Sequence, residues 1–149
     1  VERIRAARAA IDAAGGDVLL VARSEMLLQN PPGLLKETIR RLVAFAEAGA
    51  DCLYAPGAST RDDIRAIVEA VAPKPVNVLA RNLGGLVMRD LAAMGVRRVS
   101  VGGSLARVAW GAFQRAASEL ADAGTFAAFA DAASGDRLNA LFAGRSGSQ

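Results

Sequence analysis

Val96–Arg107 reads VRRVSVGGSLAR, and its layout sets the fold class. A short apolar run, Val99 to Val101, is followed by Gly102 and Gly103, and Ser104 then opens an apolar-periodic helix. A strand feeding a glycine turn that feeds a helix N-terminus suits a small anion, because the free N–H groups and the helix dipole both favour negative charge. Ser104 is expected to cap the helix through its side chain. Arg107 lies about one turn further on and can face the anion or the solvent. The same turn also reads as a tight connection that holds no ligand.

Working outward, the turn is the last of four similar units. Glu2 to Ala13 is predicted as a helix ended by Gly15-Gly16, before the apolar run Val18 to Ala22, which is expected as a strand buried on both faces. Charge appears abruptly after it at Arg23-Ser24-Glu25, and Pro31-Pro32-Gly33 marks a loop. Leu34 to Ala48 carries a helical stripe of Leu35, Ile39, Leu42, Val43 and Ala46. Cys52 to Ala55 is a strand, Ser59 or Thr60 caps a helix from Arg61 to Val71, and Pro73 and Pro75 stop it. Val76 to Ala80 and Leu86 to Met94 are the strand and helix of the third unit. The helix of the fourth unit runs from Leu105 to Ala123, with Val108, Ala112 and Leu120 on its expected buried side. Two short helices, Thr125 to Ala132 and Asp136 to Leu141, precede a small polar tail, 144–149, expected to be flexible.

Strands alternating with helices mean a parallel sheet with helices outside. The expected class is α/β, and half of a (β/α)8 TIM barrel suits it better than an open sheet. Polar residues gather after several strands, and barrel sites lie at the C-terminal strand ends. Residues 1–143 are expected as one half-barrel domain with terminal helices.

Composition narrows the function. Apolar residues make up 52% and charged residues 22% of the 149, as in globular chains and not disordered ones. No apolar run approaches a membrane span. The net charge of +3 comes from sixteen arginines spread over every helix, not massed as a nucleic-acid surface would mass them. Neither a membrane nor a nucleic acid is expected as a partner. Cys52 is the single cysteine, which points to a reducing cytoplasm and a small core residue. Histidine is absent, and with it the commonest general base and metal ligand.

VLLVARSE at Val18–Glu25, AFAEAGADCLYAPG at Ala44–Gly57, PVNVLA at Pro75–Ala80 and LAAMGVRRVSVGGSLARVAWGAF at Leu91–Phe113 occur in an order that resembles the isocitrate lyase / phosphoenolpyruvate mutase superfamily. The likeness is greatest to its short phosphonomutase-like and methylisocitrate-lyase-like members, and the ending GTFAAFADAASGDRLNALF is similar to that family's C-terminal helices. The resemblance implies that the four strands are roughly strands 5 to 8 of a barrel. It also implies a Mg²⁺-assisted lyase or mutase that acts on a C–C or P–C bond beside a 2-oxo or 2-hydroxy carboxylate. The magnesium ligands and the catalytic loop belong to the half not present in this sequence.

By the resemblance, Arg23 matches the arginine that binds substrate carboxylate or phosphonate, a task suited to a planar guanidinium, and Arg107 is similar to a second carboxylate-binding arginine. Read from the residues alone, Arg23 also suits a pair with Glu25, and Arg107 a solvated helix position. Asn77 shares strand parity with Leu79, so it points inward toward substrate or toward a core hydrogen bond. Gly102, Gly103 and Ser104 shape the turn. Position 56 carries a catalytic-site histidine or glutamate in some relatives, and Pro56 cannot do that chemistry. The expected partners are a small anionic carboxylate or phosphonate and further copies of the chain, through Phe126, Phe129, Leu138, Leu141 and Phe142. Other readings are a non-catalytic α/β anion-binding or assembly module, a fragment inactive on its own, and a phosphate-binding biosynthetic barrel.

Overall fold

The computed structural model describes residues 1–28, 33–81 and 83–143. Pro31, Pro32 and the tail 144–149 lie outside the described residues. The chain divides into two compact units, Val1–Gly102 and Gly103–Gln149.

The first unit holds α1 (Glu2–Ala14), β1 (Val21–Arg23), α2 (Leu35–Glu47), β2 (Cys52–Tyr54), α3 (Arg61–Val71), β3 (Val76–Leu79), α4 (Met88–Ala93) and β4 (Arg98–Ser100). Its strands form one sheet in the order β1-β2-β3-β4, every pair parallel. This is the βα repetition read from the sequence. Thr60 is the residue that caps α3, its hydroxyl accepting from the Asp63 N–H at 3.1 Å. Asp62 and Asp63 sit in the first turn, where the helix dipole favours them.

Register sorts the sheet into two faces, because side chains alternate along each strand and registered residues of parallel strands share a face. Ala22, Leu53, Val76 and Val78 lie on one face and belong to the buried core with Leu42 of α2, Ile64 and Ile67 of α3 and Leu91 of α4. Arg23, Tyr54, Asn77, Leu79, Arg98 and Ser100 lie on the other. The helices thus cover the apolar face and leave the polar face as the concave side of the sheet.

The first strand departs from expectation. It starts at Val21, not Val18, and Val18 and Leu19 are 58% and 71% exposed. The Asp51 carboxylate explains the late start. It accepts from the Leu20 N–H at 2.7 Å and from Arg8 Nη1 at 2.8 Å, so a side chain takes the donor a neighbouring strand would otherwise use.

The second unit holds α5 (Ser104–Ala123), a 3-10 helix (Ala127–Asp131) and α6 (Gly135–Ala143). The segment after Thr125, expected as an α-helix, is therefore the tighter 3-10 form. Glu119 fixes it by accepting from the Thr125 hydroxyl at 2.5 Å and from the N–H groups of Ala127 and Ala128. Those three bonds, the hydroxyl's first, hold the Glu119 carboxyl below its ordinary range. The expected buried side of α5 is not buried: Val108 is 69% and Leu120 44% exposed, and none of the three helical pieces has a buried residue. No helix among the described residues is long and apolar enough to cross a membrane.

Candidate functional site: an arginine-flanked row on the concave sheet face

One row of side chains runs straight across the polar face. Arg23 registers with Tyr54, Tyr54 with Asn77, and Asn77 with Arg98, so each of the four strands supplies one member. A guanidinium stands at each end, with an aromatic ring and an amide between.

Arg23 closes β1 at its C-terminal end. Its guanidinium lies over the Tyr54 ring, 5.4 Å from the centroid, and its Nε is 3.0 Å from Glu25 Oε1. The pairing with Glu25 read from the sequence is thus present. It uses the Nε edge and leaves the Nη1/Nη2 edge for a second anion. Ring and carboxylate together hold a long side chain that is 45% exposed in one orientation. The next residue, Ser24, is buried, its N–H donates to the Tyr54 carbonyl at 2.9 Å, and its hydroxyl has no partner among the described residues.

Asn77 is inward and buried, as its parity predicted. Its Nδ2 donates to Ser100 Oγ at 3.0 Å, which is the core hydrogen bond of the two readings. Its Oδ1 is buried without a partner among the described residues. Cys52, on the same face two residues before Tyr54, is buried as a small core residue. Burial pushes its thiol up, while the Arg98 charge and the Asn77 N–H pull the other way. Arg98 takes part in no ion pair among the described residues.

Two loops at the strand ends come very close. Gly57, with φ of 103°, follows β2, and a Cβ there would run into the Leu27 carbonyl. Only glycine supplies both that conformation and that approach. Pro56 is fully buried beside it.

At the opening turn, Gly102 has φ of 53°, which suits glycine. Ser104 does not cap: Gly103 is the N-cap, Ser104 is the first helical residue, and no side-chain capping bond forms. With two glycines in the turn, the chain enters the helix one residue before the hydroxyl can reach back. Arg107 is exposed in the first turns of α5, its N–H donating to the Gly103 carbonyl at 2.9 Å. Gly103, Ser104 and Arg107 belong to the second unit, and Arg23, Asn77 and Gly102 to the first.

Tyr54, Arg98 and Ser100 escaped sequence reasoning. Parity with Asn77 would place Ser100 and Arg98 together once the register is known, but register is a property of the pairing and not of one strand.

The parallel sheet with its helices defines the class: one half of a (β/α)8 barrel. Residues 1–121 match the phosphoenolpyruvate phosphomutase family, and the chain belongs to it. Among solved structures it is similar to a lyase/mutase candidate from Burkholderia cenocepacia J2315, 49% identical, with a TM-score of 0.88 over 95% of this chain and 51% of that one. A phosphonomutase candidate from the same organism is 35% identical, with a TM-score of 0.67 over 78% of this chain and 49% of that one. An oxaloacetate acetylhydrolase solved with its product oxalate is 27% identical, with a TM-score of 0.75 over 95% of this chain and 47% of that one. The chain spans about half the length of each of these structures.

Proposed function

We propose that this chain forms the substrate-anion side of a lyase or mutase that cleaves or rearranges a C–C or P–C bond next to a 2-oxo or 2-hydroxy carboxylate. The observation that carries the reading is Arg23: a guanidinium at a strand's C-terminal end, oriented by the Tyr54 ring, with one donor edge open. That edge matches a carboxylate or phosphonate in bidentate geometry. Holding the acid there fixes the neighbouring bond, and fixed cations favour the charge that builds as it breaks. Family membership and the oxalate bound to the acetylhydrolase support a small carboxylate as the ligand class.

The resemblance also implies Mg²⁺. The residues present do not fit it: no three carboxylates, cysteines or histidines converge among the described residues, and Glu25 beside the row is held by Arg23. A hard divalent cation wants several oxygen ligands. The metal's ligands would lie outside these 149 residues. Pro56 supplies no acid or base, so the proton step belongs to another group.

Asn77, through Ser100, shapes the floor of the row. Gly102, Gly103, Ser104 and Arg107 are proposed as a second anion-favouring element, because the first N–H groups of α5 have no intrahelical partner. The exposed Phe126, Phe129, Leu141 and Phe142 support assembly with further copies of the chain.

The test follows 2-oxo acid release, or migration of the ³¹P signal, when the protein carrying this chain meets 2-hydroxy and 2-oxo diacids or a phosphono-2-oxo acid with Mg²⁺. Turnover that disappears in Arg23→Gln is expected. Turnover that persists at the wild-type rate in that variant overturns the reading.

A further inference from the structure

Tyr54 closes β2 at its C-terminal end, beside Arg23 at the C-terminal end of β1. The two are registered partners and their side chains meet, the guanidinium lying over the ring at 5.4 Å from its centroid. Barrel sites form at this end of the strands.

The ring and the hydroxyl of Tyr54 have separate uses. A ring face attracts a guanidinium without neutralising it, and phenylalanine would serve that contact as well. The hydroxyl adds nothing to it. It takes part in no side-chain hydrogen bond among the described residues, although Tyr54 is half-buried and such phenols usually find a partner. The neighbouring donors are already engaged: Asn77 Nδ2 donates to Ser100 Oγ, and Arg23 Nε faces Glu25. The phenol O–H is thus a neutral donor left open beside a guanidinium whose Nη1/Nη2 edge is also open. A carboxylate has about four lone-pair sites, so one held by a guanidinium edge keeps room for a further donor.

We propose that Tyr54 is a ligand-binding residue, its phenol O–H donating to an oxygen of the acid held on the open edge of Arg23 while its ring face keeps that guanidinium in place. The assignment rests on the carboxylate reading of Arg23. It gives the site a neutral, directional donor beside its cation, and the cation loses none of its charge to the residue that orients it.

Lactate, a 2-hydroxy acid, is the probe, titrated by calorimetry into the protein carrying this chain at low and at high salt. Wild type, Tyr54→Phe, Tyr54→Leu and Arg23→Gln are compared, with the melting temperature of each. Tyr54 is the single tyrosine of the 149 residues, so the Cζ NMR signal of ring-labelled tyrosine that Tyr54→Phe lacks reads its hydroxyl directly. Tyr54→Phe is expected to weaken lactate by roughly tenfold, the scale of one hydrogen bond to a charged group, at either salt level, because the donor it loses is neutral. The Cζ signal of wild type should move as lactate is added. Tyr54→Leu should weaken lactate further, since the ring goes too, and the loss in Arg23→Gln should shrink with salt. If Tyr54→Leu weakens lactate and Tyr54→Phe binds it like wild type, the ring alone matters and the phenol assignment falls by itself. If Tyr54→Phe weakens lactate and melts lower, and the wild-type Cζ signal does not respond to lactate, the hydroxyl holds the fold and the assignment also falls. If wild type does not bind lactate, or Arg23→Gln binds it unchanged, the carboxylate reading falls and takes the Tyr54 assignment with it.

Discussion

Replacing Glu25 by Gln should tighten the binding of a small carboxylate at Arg23. Glu25 Oε1 stands 3.0 Å from Arg23 Nε, so a substrate carboxylate arriving at the open edge of the guanidinium meets an anion already in place. The two side chains are 45% and 65% exposed, so solvent screens the pair and it is worth about 0.2–1 kcal/mol. Removing the charge and keeping the shape relieves up to that amount when the ligand binds. Affinity then rises about 1.4- to 5-fold. The guanidinium does not lose its orientation, because the Tyr54 ring remains under it at 5.4 Å. The gain should shrink with salt, since the screening length falls from about 10 Å at 0.1 M to about 3 Å at 1 M. Calorimetric titration with lactate at those two salt levels, on wild type and Glu25→Gln, reads the effect directly. A loss of affinity of tenfold or more in Glu25→Gln that does not change with salt would refute the reasoning, for Glu25 would then bind the ligand itself.

Gly57→Ala should destabilise the first unit by roughly 1–3 kcal/mol or more, because φ of 103° is strained for alanine and the Leu27 carbonyl blocks its Cβ. A denaturant midpoint equal to wild type would contradict it. Thr60→Ala should cost about 1 kcal/mol in the same measurement through loss of the bond to the Asp63 N–H. Ser104→Ala should leave α5 intact by comparison, as that hydroxyl makes no cap. Hydrogen bonds from Arg40 first, then Arg41, lower the Glu37 carboxyl from 4.5 to about 2. A lowered folded value means that the support Glu37 lends α2 is fully present above pH 4.5 and is lost as pH falls toward about 2. A carboxyl NMR titration of Glu37 with its midpoint near 4.5 would sink this.

Local chemistry was legible in the chain. The bounds of α3 follow from Thr60 and Pro73, its N-cap and its stop, and the parallel class follows from apolar runs alternating with helical stripes. The inward turn of Asn77 follows from parity with Leu79. These signals act over a few residues, so one strand or one turn carries them whole. The mistakes came where a distant group decides. Asp51, far along the chain from Leu20, sets where β1 begins. The flank of α5 is exposed although its stripe is apolar, because a helical stripe records which residues share a side and not what covers them.

The amino-acid sequence by itself determined the order of elements and the parallel α/β class, because periodicity and punctuation are written locally, whereas the half-barrel and Arg23 as a ligand residue are what the family resemblance implies. Only the tertiary structure decided that Arg23, Tyr54, Asn77 and Arg98 form one row. Register between parallel strands is set by packing across crossover connections, and a slip of one residue would send every member of the row to the opposite face.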